Sequence, residues 1–149
     1  MGIFDFRDPN KRRKKIATIT VHCNLNEVSI NTTTINFPTN YTTLKEILGD
    51  ATRIEAIKHT NNSVYLWDEL GIYCSTTSPE KMLMLLLVVD NRYGLGYQPK
   101  NNFKGTVLID GKPLESTIQD VGADRPYMIR SISKENKQVA IALGWNPVI

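Results

Sequence analysis

The sequence has two cysteines, two histidines and two tryptophans in 149 residues, and its longest apolar run, Met82–Val89, spans eight. Eight apolar residues fall far short of the ~20 that a membrane helix needs, so no membrane-spanning helix is expected. Cys23 and Cys74 allow at most one disulfide. The opening Met1–Phe6 has no charged segment leading into an apolar one, so both cysteines read as reduced, buried side chains in a cytoplasmic protein. Gly2 invites an N-myristoylation reading, but Phe6 stands where Ser or Thr is expected. Without a secretory signal, the Asn-x-Ser/Thr sequons at Asn31, Asn40 and Asn61 carry no weight.

Metal and nucleophile chemistry are equally thin. The soft ligands are His22, His59, Cys23 and Cys74, with neither C-x-x-C nor H-x-x-x-H spacing. His22 and Cys23 are neighbours on an expected strand and leave opposite faces, so they cannot grip one ion. Gly-x-Ser-x-Gly is absent, and Gly94-Leu95-Gly96 runs into Tyr97-Gln98-Pro99 instead of a glycine opening a helix. The expectation is a protein without cofactor or metal that is not an enzyme.

The net charge of +3 is unevenly placed. Residues 1–15 hold six basic side chains, five of them clustered in Lys11–Lys15, against Asp5 and Asp8; the remainder has twelve basic and thirteen acidic residues. A nucleic-acid-binding domain spreads Lys and Arg over a face of its fold, so neither nucleic acid nor membrane is expected as partner. The division read here is a basic lead-in over residues 1–15 and one β-rich domain over 16–149.

With 41% hydrophobic and 22% charged residues, the chain has the composition of one globular domain. Period-two alternation dominates it. Ala17, Ile19, Val21 and Cys23 form a half-buried strand; Val28 and Ile30, then Thr33, Ile35 and Phe37, continue the pattern up to Pro38. Thr43 and Glu46 read as a capping-box pair opening a short helix with Leu44, Ile47 and Leu48 on one face and Gly49 at its exit. Strands follow at Arg53–His59, Val64–Trp67 and Leu70–Ser75, the last two interrupted at Asp68-Glu69. Met82–Val89 lacks alternation and reads as a central strand covered on both faces. After a long irregular stretch, Asp90–Phe103, come a strand at Gly105–Ile109, a hairpin turn at Asp110-Gly111 and a helical turn within Glu115–Val121. Strands at Tyr127–Ser133 and Gln138–Trp145 close the chain, with Val139, Ile141, Leu143 and Trp145 on one face. The fold class expected is mainly β (α+β): a single-domain antiparallel sheet or sandwich of about nine strands with one or two short helices.

Two features bear on function. Asp68 and Glu69 are adjacent acids beside Trp67, read either as a contact for a basic partner or as a turn in which Asp68 accepts backbone N–H bonds. Trp67, Tyr73, Tyr93 and Tyr97 are amphipathic anchors of the kind enriched at interfaces, with Trp67 and Trp145 assigned to the core. The candidate partner-binding residues are therefore Asp68, Glu69, Tyr93 and Tyr97. The rival reading is a small-ligand or enzymatic site near Asp68, Glu69 and His59, with residues 93–103 as its lid.

The segments Val64-Tyr65-Leu66-Trp67-Asp68-Glu69-Leu70-Gly71-Ile72-Tyr73 and Phe103-Lys104-Gly105-Thr106-Val107-Leu108-Ile109-Asp110-Gly111-Lys112-Pro113-Leu114, preceded by Ile47-Leu48-Gly49, resemble a group of uncharacterised bacterial domains over about residues 16–120. The resemblance implies an intracellular β-rich domain with no catalytic residue set to carry over. By analogy, small site-poor proteins of this kind are similar to immunity proteins of polymorphic toxin systems. The expected function is neutralisation of a cognate protein toxin, with a generic intracellular interaction module as the alternative.

Overall fold

The computed structural model describes residues 18–76, 81–93, 97–114, 120–121 and 125–145, and for 120–121 the backbone alone. Alternating residues build two sheets. The small one comprises β1 (Thr20–Cys23), β2 (Val28–Ile30), β3 (Thr33–Ile35), β8 (Thr106–Ile109) and β9 (Lys112–Pro113), in the order β3-β2-β1-β8-β9. The large one comprises β4 (Arg53–Ala56), β5 (Ser63–Trp67), β6 (Ile72–Thr76), β7 (Met82–Val88), β10 (Asp120–Val121), β11 (Tyr127–Lys134) and β12 (Lys137–Trp145), in the order β10-β11-β12-β7-β6-β5-β4. One helix, α1 (Tyr41–Leu48), lies between β3 and β4 in sequence. The mainly β class holds, and the segments beyond the expected nine are short pieces such as the two-residue β9 and β10.

The alternation resolves into a common core. Val21, Cys23, Val28, Ile30 and Val107 of the small sheet meet Tyr65, Trp67, Ile72, Leu85, Leu87, Ile129, Ile141 and Leu143 of the large one, with Leu44 and Leu48 of α1 in the same cluster. A second cluster, Val64, Leu66, Tyr73 and Val88, lies on the opposite face of the large sheet under Ile57, Leu86 and Tyr97. Two-sided burial is found in β5, where Val64 through Trp67 are all buried, and over a longer run in β12, where Val139 through Gly144 are. In β7, a central strand as expected, Met82, Leu85 and Leu87 fill the core, but Leu83 is exposed and Met84 and Leu86 are only half-buried.

Several local expectations change. Asn40, not Thr43, caps α1: its Oδ1 accepts the Thr43 N–H at 2.8 Å, so Thr43 stands inside the first turn. The strand expected over Arg53–His59 ends at Ala56, and His59 sits in the following turn at φ 63°. Trp145 keeps the parity of Leu143 yet is 42% exposed, because parity fixes a side but not whether another layer lies opposite. The pairing of β1 with β8 is parallel, Thr20 opposite Thr106 through Cys23 opposite Ile109, against the antiparallel expectation; alternation is the same in either direction. The helical turn expected within Glu115–Val121 lies mostly outside the described residues, and its last two, Asp120–Val121, form β10. The basic lead-in, residues 1–15, also lies outside them.

A polar latch joins the sheets at one end. The Tyr127 hydroxyl donates to the Asn24 carbonyl at 2.5 Å in the β1–β2 turn and accepts from Arg125 at 3.0 Å. Arg125 in turn holds Asp110 of the β8–β9 turn at 2.8 Å.

Three hairpins close through two-residue turns with both φ values positive: Asn31-Thr32, Asp110-Gly111 and Glu135-Asn136. Thr32, at φ 73°, is β-branched and strained there. Replacement Thr32→Gly relieves that strain at the cost of some unfolded-state entropy, with an expected gain of about 0.5–1 kcal/mol, measured as a higher urea midpoint with unchanged m-value.

Candidate interaction site at the turn from Asp68 to Leu70

The strand β5 must reverse into β6 within a few residues, and Trp67 begins the reversal: its carbonyl accepts the N–H groups of both Leu70 and Gly71 at 3.1 Å. Its indole N–H donates to the Gly49 carbonyl at 2.8 Å, fastening the exit of α1 to the same place. Gly71 has φ +73°, and a Cβ there would lie 2.2 Å from the Phe103 nitrogen. The turn and the segment 97–103 are thus in backbone contact, which only glycine permits.

Asp68 is the centre of this arrangement. Its carboxylate takes a two-pronged bond from Arg53, Nε to Oδ2 at 2.8 Å and Nη2 to Oδ1 at 3.2 Å, and Oδ1 also accepts the Lys100 N–H at 3.1 Å. The Asp68 N–H donates to Thr52 Oγ1 at 2.9 Å, and its carbonyl accepts from the Asn101 N–H at 2.9 Å. Arg53 extends the set to the Gln98 carbonyl at 3.3 Å and pairs with Glu55. The Arg53 bonds hold the Asp68 carboxyl below the usual carboxylate range; burial opposes this and the Lys100 N–H adds to it.

With Asp68 1% exposed, the side chain serves positioning and is not offered to a partner. Neither reading of this residue describes the geometry in full: the carboxylate accepts one backbone N–H, that of Lys100 from a distant segment, and its main partner is Arg53 of the same chain. Its neighbour Glu69 is exposed. Tyr97 is half-buried, its ring 5.8 Å from that of Tyr73 in an edge-on pair, so it covers the second hydrophobic cluster. Tyr93 is half-exposed in the turn after β7, its N–H on the Asp90 carbonyl at 3.3 Å. His59 stands beyond the opposite end of β5 from Asp68, about 16 Å of strand away at the ordinary rise per residue, so the two share no site.

The described part of the long irregular stretch is stitched down, unlike the lid of the rival reading. Asn91 donates to the Pro99 and Lys100 carbonyls at 2.9 and 3.1 Å, its N–H reaches Asn102 Oδ1 at 2.8 Å, and Gln98 donates back to the Asn91 carbonyl at 2.7 Å. Asn91, Gln98 and Asn102 position this segment and are not among the candidate residues of the sequence; the one local signal is the presence of Asn91, Asn101 and Asn102 in a stretch of turns.

Two clefts flank the turn and share Glu69 and Leu70. One, of about 380 Å³, is lined by Leu48, Gly49, Asp50, Thr52 and Trp67; the other, about 190 Å³, by Ile19, Asn101, Asn102, Phe103, Lys104 and Gly105. Both cysteines lie elsewhere, and burial pushes each thiol up to about 12, so neither is a thiolate at neutral pH. Among the described residues, no three His, Cys, Asp or Glu side chains gather as a metal site, and no helix is long and apolar enough to cross a membrane.

Replacing Asp68 by Asn removes the ion pair and should cost about 2–3 kcal/mol at pH 7, read from urea denaturation. Because the folded carboxyl titrates below its unfolded value of ~3.9, its contribution is complete above about pH 5 and declines as pH falls through and below that value. The stability gap between wild type and Asp68→Asn should accordingly be constant from pH 5 to 8 and close below pH 4. Gly71→Ala should cost at least about 2 kcal/mol, since positive φ and the Phe103 backbone both reject a Cβ.

No curated protein matches the sequence. Among solved structures, the chain is similar to a cysteine-rich secretory protein from Staphylococcus aureus subsp. aureus Mu50, at 13% identity and a TM-score of 0.42, covering 74% of this chain and 44% of that one. The family described as Domain of unknown function (DUF7738) matches residues 20–123, from the first strand of the small sheet through β10, taking in the Asp68 turn, Tyr93, Tyr97 and, Ile19 apart, the lining of both clefts, and stopping short of β11 and β12. With that span exceeding half its length, the chain belongs to the DUF7738 family.

Proposed function

We propose that this protein acts by binding another protein, as an immunity factor that neutralises a cognate bacterial toxin in the cytoplasm of the cell that makes it. The observation that carries the reading is the presentation of Glu69: an exposed carboxylate on a turn whose neighbours are fixed by Arg53, Thr52, Lys100 and Asn101, raised between two clefts. A surface held this firmly loses little freedom on association, and recognition by rigid complementarity depends on that saving. The partner contacts assigned here are Glu69 and Tyr93, which reach solvent, with Asp68 and Tyr97 holding the surface from beneath. A standard interface of about 800 Å² per partner is wide enough to cover the turn and both clefts.

The test is co-expression with the protein encoded by the adjoining upstream gene. Growth should be protected and a complex should co-purify at equal stoichiometry; absence of both rejects the reading. Charge reversal Glu69→Arg should weaken the complex at least tenfold, measured calorimetrically, while shifting stability by no more than about 0.5 kcal/mol, as befits an exposed side chain.

A further inference from the structure

We infer that two copies of this chain associate through β4, pairing edge to edge in antiparallel fashion with Ile54 opposite Ile54 of the second copy. This inference goes beyond the proposed toxin binding and does not depend on it. The four sheet edges among the described residues are β3, β9, β10 and β4, and β4 is the longest, at four residues. The edge at β9 carries Lys112 and Pro113, residues that discourage pairing, whereas β4 carries Ile54, an aliphatic side chain left 54% exposed.

The direction of the free backbone groups follows from the ladder. The Ile57 N–H donates inward to Asn62 at 3.0 Å, and residues alternate along a strand, so Arg53 and Glu55 direct their backbone groups toward β5. Ile54 and Ala56 therefore turn theirs away from the sheet, where a second strand can receive them. Arg53 and Glu55 touch within one chain, so both side chains lie on one face; Ile54, opposite Tyr65, is on the other.

Charge selects both the occupant and the register. With Ile54 opposite its own copy, each Arg53 faces a Glu55 across the two-fold axis, in the non-hydrogen-bonded pairs whose side chains approach most closely. Sliding the strands by two residues sets Glu55 against Glu55 instead, and like charges opposite one another destabilise. The edge is thus complementary to itself in one alignment, as a two-fold interface requires. The pair continues the large sheet across the axis and brings the two exposed Ile54 side chains together. Four residues a side make a small interface, so the dimer is weak and depends on concentration.

Sedimentation velocity of the full chain from about 5 μM to 1 mM, the upper limit matching a millimolar dissociation constant, tests this. The weight-average mass should climb from one chain toward two. Ile54→Pro, which deletes an outward N–H and leaves the ladder to β5 intact, should raise the dissociation constant at least tenfold. Glu55→Lys, which sets like charges across the axis, should do the same. Circular dichroism establishes that each variant is folded, and if Ile54→Pro is not, the surface change Glu55→Lys decides. A mass independent of concentration overturns the inference, as does a folded variant that dimerises like wild type.

Discussion

A carboxylate taken out of water must be compensated, and Asp68 is held by groups drawn from two distant parts of the chain. Arg53, at the start of the edge strand β4, and the Lys100 N–H, from the irregular segment after β7, bond the carboxylate, while Thr52, next to Arg53, takes the Asp68 backbone N–H. The two parts are 47 residues apart (Arg53 to Lys100), so the full set of bonds forms only when β4, β5 and the segment 97–103 are in place together. The second hydrophobic cluster follows from this, because the segment that Asp68 holds is the one that lays Tyr97 over Tyr73. A charge pair and an apolar cap stabilise each other here: the cap limits water around the carboxylate, and the carboxylate keeps the cap in register.

The opposite end of the molecule uses the same device more lightly. Tyr127, Arg125 and Asp110 tie two turns of the small sheet to the large sheet through a phenol, a guanidinium and a carboxylate. Between these polar fastenings the core is aliphatic and aromatic, with both cysteines as small inert members. The family match ends before β11 and β12, yet Ile129, Ile141 and Leu143 fill the core beside matched residues, so the last two strands are integral to the packing.

The alternation of Ile19, Val21 and Cys23, the apolar run in β7 and the Asp110-Gly111 turn made most strands legible, since each encodes a local period or a backbone sign. What pairs with what was not legible: β1 carries the same pattern whether its neighbour runs with it or against it. The helix position was readable to within a few residues, but Asn40 displaced Thr43 as cap because an asparagine was free just upstream. The site was half legible. Trp67-Asp68-Glu69 marked the place, while the roles of its two acids diverged for a reason far away in sequence, the arrival of Arg53 and Lys100 at one of them. Nothing local distinguishes an acid that will meet an arginine from one that will face water.

The parallel union of β1 with β8 has a consequence for how the chain is made. During synthesis the hairpin of β1 and β2 is complete long before residues 106–109 leave the ribosome, so the first strand waits with one flank unpaired while most of the polypeptide is still to come. Contacts between such distant stretches slow the search for the native arrangement. The polar alternates Thr20 and His22, which face away from the core, keep that waiting hairpin from being greasy on both sides and so protect the nascent chain from clumping with its neighbours.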